Sequence, residues 1–263
     1  MAKYFPLSLG CLWLAALVLG ASSASLFLPD PLAVDLEELQ APPGATHWAG
    51  TDELGRDMLA RVLNAARATL LVTTGATVLD IALAVLCGVL AAYRGGWADQ
   101  CLGFTIDFVW SVPFIVFVVL IIALVGVSIP SLILTIGGIN WVVAGRVLRT
   151  ETTKVCRQPF IQVAEAFGFS SLQIIGYHLL PALRRTVLTL SAYTAIEVLT
   201  LETGLAFVGL SLPAPTPTWG GLLANGLNYL GSAWWLAAWP TLFILLTLVS
   251  LQAVAHHFER SSQ

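Results

Sequence analysis

The segment Gln158–Pro181 reads QPFIQVAEAFGFSSLQIIGYHLLP, a polar stretch set between two blocks of membrane-length hydrophobicity. Its pattern predicts a short amphipathic helix, a glycine, a polar turn, a second helix and a proline stop. Ile161, Ala164, Glu165 and Gly168 fall on helical spacing, and Phe160, Val163, Ala164 and Phe167 form a small apolar stripe. Gly168 suits a left-handed end-cap and Ser170 suits the cap of the next helix, while Pro181 is expected to bar further helix until Thr186. A short amphipathic helix beside a bilayer either lies in the lipid interface or fills a groove on a partner. Interfacial helices carry Lys or Arg along the polar face, and Gln158–Leu180 has none. The segment therefore reads as a surface for a protein partner.

Working outward, the chain is built for lipid. Hydrophobic residues make up 57% and charged residues 10% of the 263, with a mean hydropathy of +0.85. A soluble chain of this length needs about 25% charged residues to cover its surface. The net charge of −3 says little, because the sign is sorted by loop. Nine tryptophans fit a belt at the membrane interface. Cys11, Cys87, Cys101 and Cys156 are scattered, with neither a C-x-x-C pair nor metal-ligand spacing, and read as small apolar filler.

The apolar blocks run Leu7–Leu28, Ala68–Tyr93, Cys101–Val127, Ile129–Gly145, Thr186–Leu210 and Ala233–Ala255. A 22-residue block makes about 33 Å of helix, enough to cross the hydrocarbon. The third and fourth blocks are separated at Ser128-Ile129-Pro130, because proline cannot continue a helix and the joined run is about two crossings long. The expectation is an all-α membrane protein with six transmembrane helices, not a β-barrel. The first block exceeds a signal-peptide core and is followed by five more, so it reads as an uncleaved helix. Orientation follows from the basic residues. An inside amino terminus places Lys3, Arg94, Arg146, Arg149, Lys154, Arg157, Arg184, Arg185 and Arg260 in the cytoplasm, against Arg56, Arg61 and Arg67 outside. Both termini are then cytoplasmic, and Pro29–Arg67 and Ser211–Ser232 lie outside as turns and short helices.

Four motifs carry a resemblance. Gly168 and Pro181 stand at the spacing of the signature loop of ABC importer permeases, a Glu-Ala-Ala, three residues, Gly pattern closed by Leu-Pro, with Ala164 as the second alanine. Gln162 stands at the glutamate of that pattern and Val163 at its first alanine, a departure that takes away a carboxylate; Glu165 is the nearest acid. HWAGTDELGRD (His47–Asp57) is similar to the Gly-Thr-Asp-x-Leu-Gly-Arg-Asp block of the dipeptide, oligopeptide and nickel class of these permeases. Physically, Gly50 and Gly55 permit sharp turns, and Asp52, Arg56 and Asp57 suit ion pairs that clamp the mouth of the first helices. AYRGGWAD (Ala92–Asp99) resembles a Tyr-x-Gly-Gly turn of the class, and ETGLAFVGLSLPAPTPTWG (Glu202–Gly220) its Glu-x-x-Leu-x-Phe-x-Gly-Leu stretch with a proline-rich exit. The matches run from about residue 47 to 255.

The resemblance implies a type I importer permease with a coupling-helix loop, Gln158–Pro181, as its ATPase contact. It also implies the other parts: a homologous second permease, two ABC ATPases that use ATP and Mg, and an extracytoplasmic solute-binding protein, in a bacterial inner membrane. The chain itself carries no G-x-x-x-x-G-K-[ST], hydrolase or nucleic-acid motif. No enzymatic activity and no bound cofactor or metal are expected in it. The organisation expected is residues 1–67 as first helix and outer segment, 68–257 as the five-helix core and 258–263 as a cytoplasmic tail. Solute is left open between small peptides and a nickel or metal-chelate complex, and the rival reading is a self-contained ion-coupled transporter or channel.

Asp80, Asp107, Glu197 and Glu202 fall inside the spans, where a charge must face protein or water. Asp107 and Glu202 match positions where the resembled class tends to carry acids, which implies a structural or gating role. Asp80 and Glu197 are candidates for a polar translocation path. Glu197 and Glu202 stand about 140° apart around one helix and do not share a cavity. His47, His178, His256 and His257 all lie outside the spans.

Overall fold

A computed structural model describes residues 5–260. Lys3 and residues 261–263 of the expected tail lie outside the described residues. The elements in chain order are α1 (Phe5–Phe27), α2 (Met58–Ala84), a π turn (Val85–Val89), α3 (Leu90–Arg94), α4 (Gly96–Trp110), α5 (Phe114–Val125) and α6 (Ile129–Cys156). There follow α7 (Pro159–Ala166), α8 (Ser171–Ile174), a second π turn (Ile175–Leu179), α9 (Leu180–Phe207), α10 (Trp219–Gly226), a 3₁₀ turn (Leu227–Tyr229) and α11 (Trp235–Arg260). Among the described residues there is no β-strand, only an isolated bridge between Thr51 and Asp57.

Close approaches fix how the helices run. Gly75 faces Ile133, Gly137 faces Ala76 and Gly88 faces Gly145, so α2 and α6 are parallel. The chain between them must return, and α4 with α5 makes that return. α1 runs antiparallel to α11, with Gly10 against Ser250 and Trp13 Nε1 donating to Thr247 Oγ1 at 3.1 Å. The chain thus travels the bundle end to end six times, with Phe5 and Arg260 at the same end as α7.

Four of these helices are long and apolar enough to cross a membrane, and the bent pair α4–α5 counts as a fifth when taken as one span. The remaining expected block, Thr186–Leu210, lies largely in α9, whose 28 residues are long enough but diluted by Arg184, Arg185, Glu197 and Glu202. The block Cys101–Val127 is not one unbroken helix: α4 and α5 meet at 83° around Ser111–Pro113. Pro113 has no N–H for the preceding turn, and it serves as N-cap of α5 instead. The block ending at Gly145 is also short of the helix, which runs on to Cys156 because a helix does not stop where hydrophobicity does. Its start is as read, with Ser128 and Ser131 forming a capping box. Ten residues expected in the outer segment, Met58 to Arg67, are helical because Asp57 Oδ1 caps α2 by accepting from Ala60 N at 2.8 Å.

Pro181 does not stop the helix either. It sits at the start of α9, and the π turn Ile175–Leu179 immediately before it widens the backbone so that the ring and its missing donor are accommodated. Segment Ser171–Phe207 is therefore one continuous rod with a wide turn in it, as is Met58–Arg94.

Candidate functional site

The loop after α6 forms a platform. α7 begins at Pro159, whose fixed φ suits a first helical turn. It ends in a Schellman closure: Gly168 takes φ +80°, its N–H donates to Glu165 O at 2.9 Å, and Phe169 N–H donates to Ala164 O at 3.2 Å. Ser170 then caps α8 through a box with Gln173. Ile161 and Ala164 turn inward and pack with Val89, Ile174, Leu179 and Leu183. The opposite face is left open, with Phe160, Val163 and Phe167 exposed, Phe167 at 80%. Ala164, expected in the same stripe as these three, lies on the inner face instead. Gln162, Glu165 and Pro181 are exposed. Leu172, at 80%, and Tyr177, at 74%, extend the open apolar surface.

A polar knot lies near mid-length of the bundle. Asn140 on α6 donates from Nδ2 to Asp80 Oδ2 on α2 at 3.0 Å and to Glu197 Oε2 on α9 at 3.2 Å. Asp80 is fully buried and Glu197 half-buried. Glu202 is buried elsewhere, where Gly220 of α10 presses on Thr203 of α9, so the two glutamates do not meet. Asp107 is exposed on α4 and pairs with Arg146 at 2.6 Å, whose guanidinium lies 4.7 Å over Trp110. Arg149 holds Asp99 through two nitrogens, 2.7 Å for Nη2 to Oδ2, so α4 is strapped to α6 by two ion pairs.

At the far end of the bundle from α7 the predicted clamp residues come together. Asp52, 2% exposed, accepts from Arg56 Nε at 2.8 Å and from the backbone N–H groups of Leu54 and Arg56, and it pairs with Arg61. Asp57 bonds His47 Nδ1 at 2.7 Å while capping α2, and His47 Nε2 reaches Glu38 at 2.9 Å. Trp235 Nε1 donates to Thr51 O at 3.0 Å, tying the clamp to α11.

Residues 84–262 match the family described as the binding-protein-dependent transport system inner membrane component. The chain belongs to that family. It is 33% identical over 225 residues to the probable D,D-dipeptide transport system permease protein DdpC of Escherichia coli, covering 84% of this chain and 74% of the relative. It is 30% identical over 220 residues to the dipeptide transport system permease protein DppC of Bacillus subtilis, covering 83% and 69%. It is also 30% identical over 218 residues to the oligopeptide transport system permease protein OppC of Mycobacterium tuberculosis, covering 82% and 75%.

Within this binding-protein-dependent permease the sequence reading missed three things. Asn140, the residue that joins Asp80 to Glu197, was hidden in an apolar block although it is the one amide within Ile129–Gly145. Arg61, in sequence a bare charge of the outer segment, completes the clamp on Asp52. Thr73 and Thr77, buried on α2 above Asp80, gave no signal because threonine is ordinary in membrane helices.

Proposed function

We propose that this chain is one of two permease subunits of an ATP-driven importer of small peptides. In this reading two separate ATPases seat on α7, a solute-binding protein delivers at the clamp end, and both termini are cytoplasmic. The observation that carries it is the two-faced α7: Ile161 and Ala164 anchor it inward while Phe160, Val163 and Phe167 stand free for a groove on a partner. The excess of Lys and Arg on loops at the α7 end supports that end as the cytoplasmic one. Peptide is favoured over nickel as solute because the relatives are named as dipeptide and oligopeptide permeases.

ATP binding would close the ATPases, move α7, and turn the helices so that the path opens alternately to each side. Asp80 and Glu197 are the proposed polar part of that path, Glu197 being the half-buried member. ATP hydrolysis and its Mg belong to the partners. The test is purification of the tagged chain from its native membrane in mild detergent, with mass spectrometry of the proteins retained. A second permease and ATPase subunits are expected. Recovery of this chain alone as a homo-oligomer would overturn the reading and favour an ion-coupled transporter.

A further inference from the structure

Two carboxylic acids and one amide meet inside this bundle with no cation among them. Asp80 lies about 21 Å along its helix from Arg94, and Asn140 about 16 Å from Ile129 and 24 Å from Cys156. Both thus lie well inside their helices. The amide has two N–H donors, and Nδ2 spends them on Asp80 and Glu197, which holds the two carboxyls within about 6 Å of each other. The nearest basic side chains on these helices are Arg67 on α2, Arg146 on α6 and Arg185 on α9, about 20, 9 and 18 Å away along the axes. Arg146 is already paired with Asp107, and Arg67 Nε donates to Ala21 O at the end of α1. From α9 the other titratable groups are Tyr193, bonded to Glu259, and Glu202, buried against α10.

A second, independent observation concerns the atoms around the acids. Asp80 Oδ1 is buried without a hydrogen-bond partner, and so are Thr73 Oγ1 and Thr77 Oγ1 on the same stripe of α2. Thr77 also walls an open groove of ≈ 510 Å³ between α2 and α9, with Ile81, Val85, Leu86 and Ser191. Thr77 therefore stands between this groove and the knot, with Thr73 a turn further along α2, and half-buried Glu197 leaves the knot unsealed on another side.

We infer that Asp80, Asn140 and Glu197 form a proton-binding site that holds one proton shared between the two carboxyls. Two ionised carboxylates this close in a low-dielectric interior repel strongly, and a proton held between them removes that repulsion. One proton leaves a single charge for the amide to solvate, and Asp80 Oδ1 and the threonine hydroxyls remain as places where that proton can enter. Because the acids ride on α2 and α9 and the amide on α6, any movement that parts them changes how tightly the proton is held. The site does not depend on which solute is carried or on which partners bind α7.

The test is infrared spectroscopy of the chain with its co-purifying partners in lipid vesicles near neutral pH, reading the protonated-carboxyl stretch. Wild type is expected to show one more protonated carboxyl per chain than the Asp80→Asn, Glu197→Gln double variant. A difference of zero means both acids are ionised, and a difference of two means each holds its own proton; either overturns the proposal. If that double variant does not accumulate, Asp80→Ser, Glu197→Met serves in its place with the same three outcomes: a difference of one supports the proposal, and a difference of zero or two overturns it.

Discussion

Gly137 of α6 sits so close to Ala76 of α2 that a Cβ built on it would come within 2.6 Å of the Ala76 carbonyl oxygen. The two parallel helices touch backbone to backbone there, nearly one turn from Asn140. Gly137→Ala is expected to push them apart and lower stability by about 1–3 kcal/mol. Gly138→Ala, with nothing within 4 Å, is expected to be neutral or slightly stabilising. Thermal unfolding of the two variants side by side in detergent checks this, and equal losses would sink it.

Trp219 is fully buried, with Nε1 donating to Val62 O at 2.9 Å and its own N–H donating to Thr69 Oγ1 at 3.1 Å. Trp219→Phe keeps most of the packing and removes the indole donor. The expected cost is about 1–3 kcal/mol, read as a drop in unfolding temperature. Loss of α10 docking should expose nearby Glu202 without touching α7.

Asp52→Ala leaves Arg61, 11% exposed, without its carboxylate. Breaking a buried pair in this way costs about 3–5 kcal/mol, so the variant is expected to accumulate poorly in the membrane fraction. Adding Arg61→Met should restore part of the yield, because it removes the stranded charge. Failure of the double variant to exceed the single one would show that Asp52 acts through its backbone contacts instead.

The two faces of α7 predict opposite phenotypes. Ile161→Ala opens a cavity beside Val89 and Leu179 and should cost about 2–5 kcal/mol of stability. Phe167→Ala touches little within the chain and should leave unfolding unchanged while reducing the ATPase subunits recovered with it. Gly168→Pro cannot take φ +80° and should abolish substrate-stimulated ATPase activity. Undiminished activity in that last variant would remove the loop from the coupling path.

Much of this architecture was legible because hydrophobic length and capping residues act locally. Ser128, Ser170 and Gly168 do in three dimensions what their chemistry suggests in one. Pro113 and Pro181 show the limit. Both remove the same donor, yet one bends the chain by 83° and the other lies in a continuous rod, because only Pro181 is preceded by a π turn. Whether a wide turn forms depends on tertiary packing, and no local pattern announces it. The polar knot was half legible: Asp80 and Glu197 stood out as charges in apolar blocks, but their meeting depends on the register of α2, α6 and α9, which Gly75, Gly88 and Gly137 set by close approach.

The two wide turns, Val85–Val89 and Ile175–Leu179, deliver Val89 and Leu179 into the same apolar cluster as Ile161 and Ala164. Each turn houses one surplus residue, and sliding that surplus along by one position re-phases every side chain beyond it by about 100°. A thrust arriving at α7 therefore meets two shafts with slack already wound into them. In the coupling proposed above, such shafts would answer by rotating about their own axes, carrying Asp80 and Glu197 on the turning lengths.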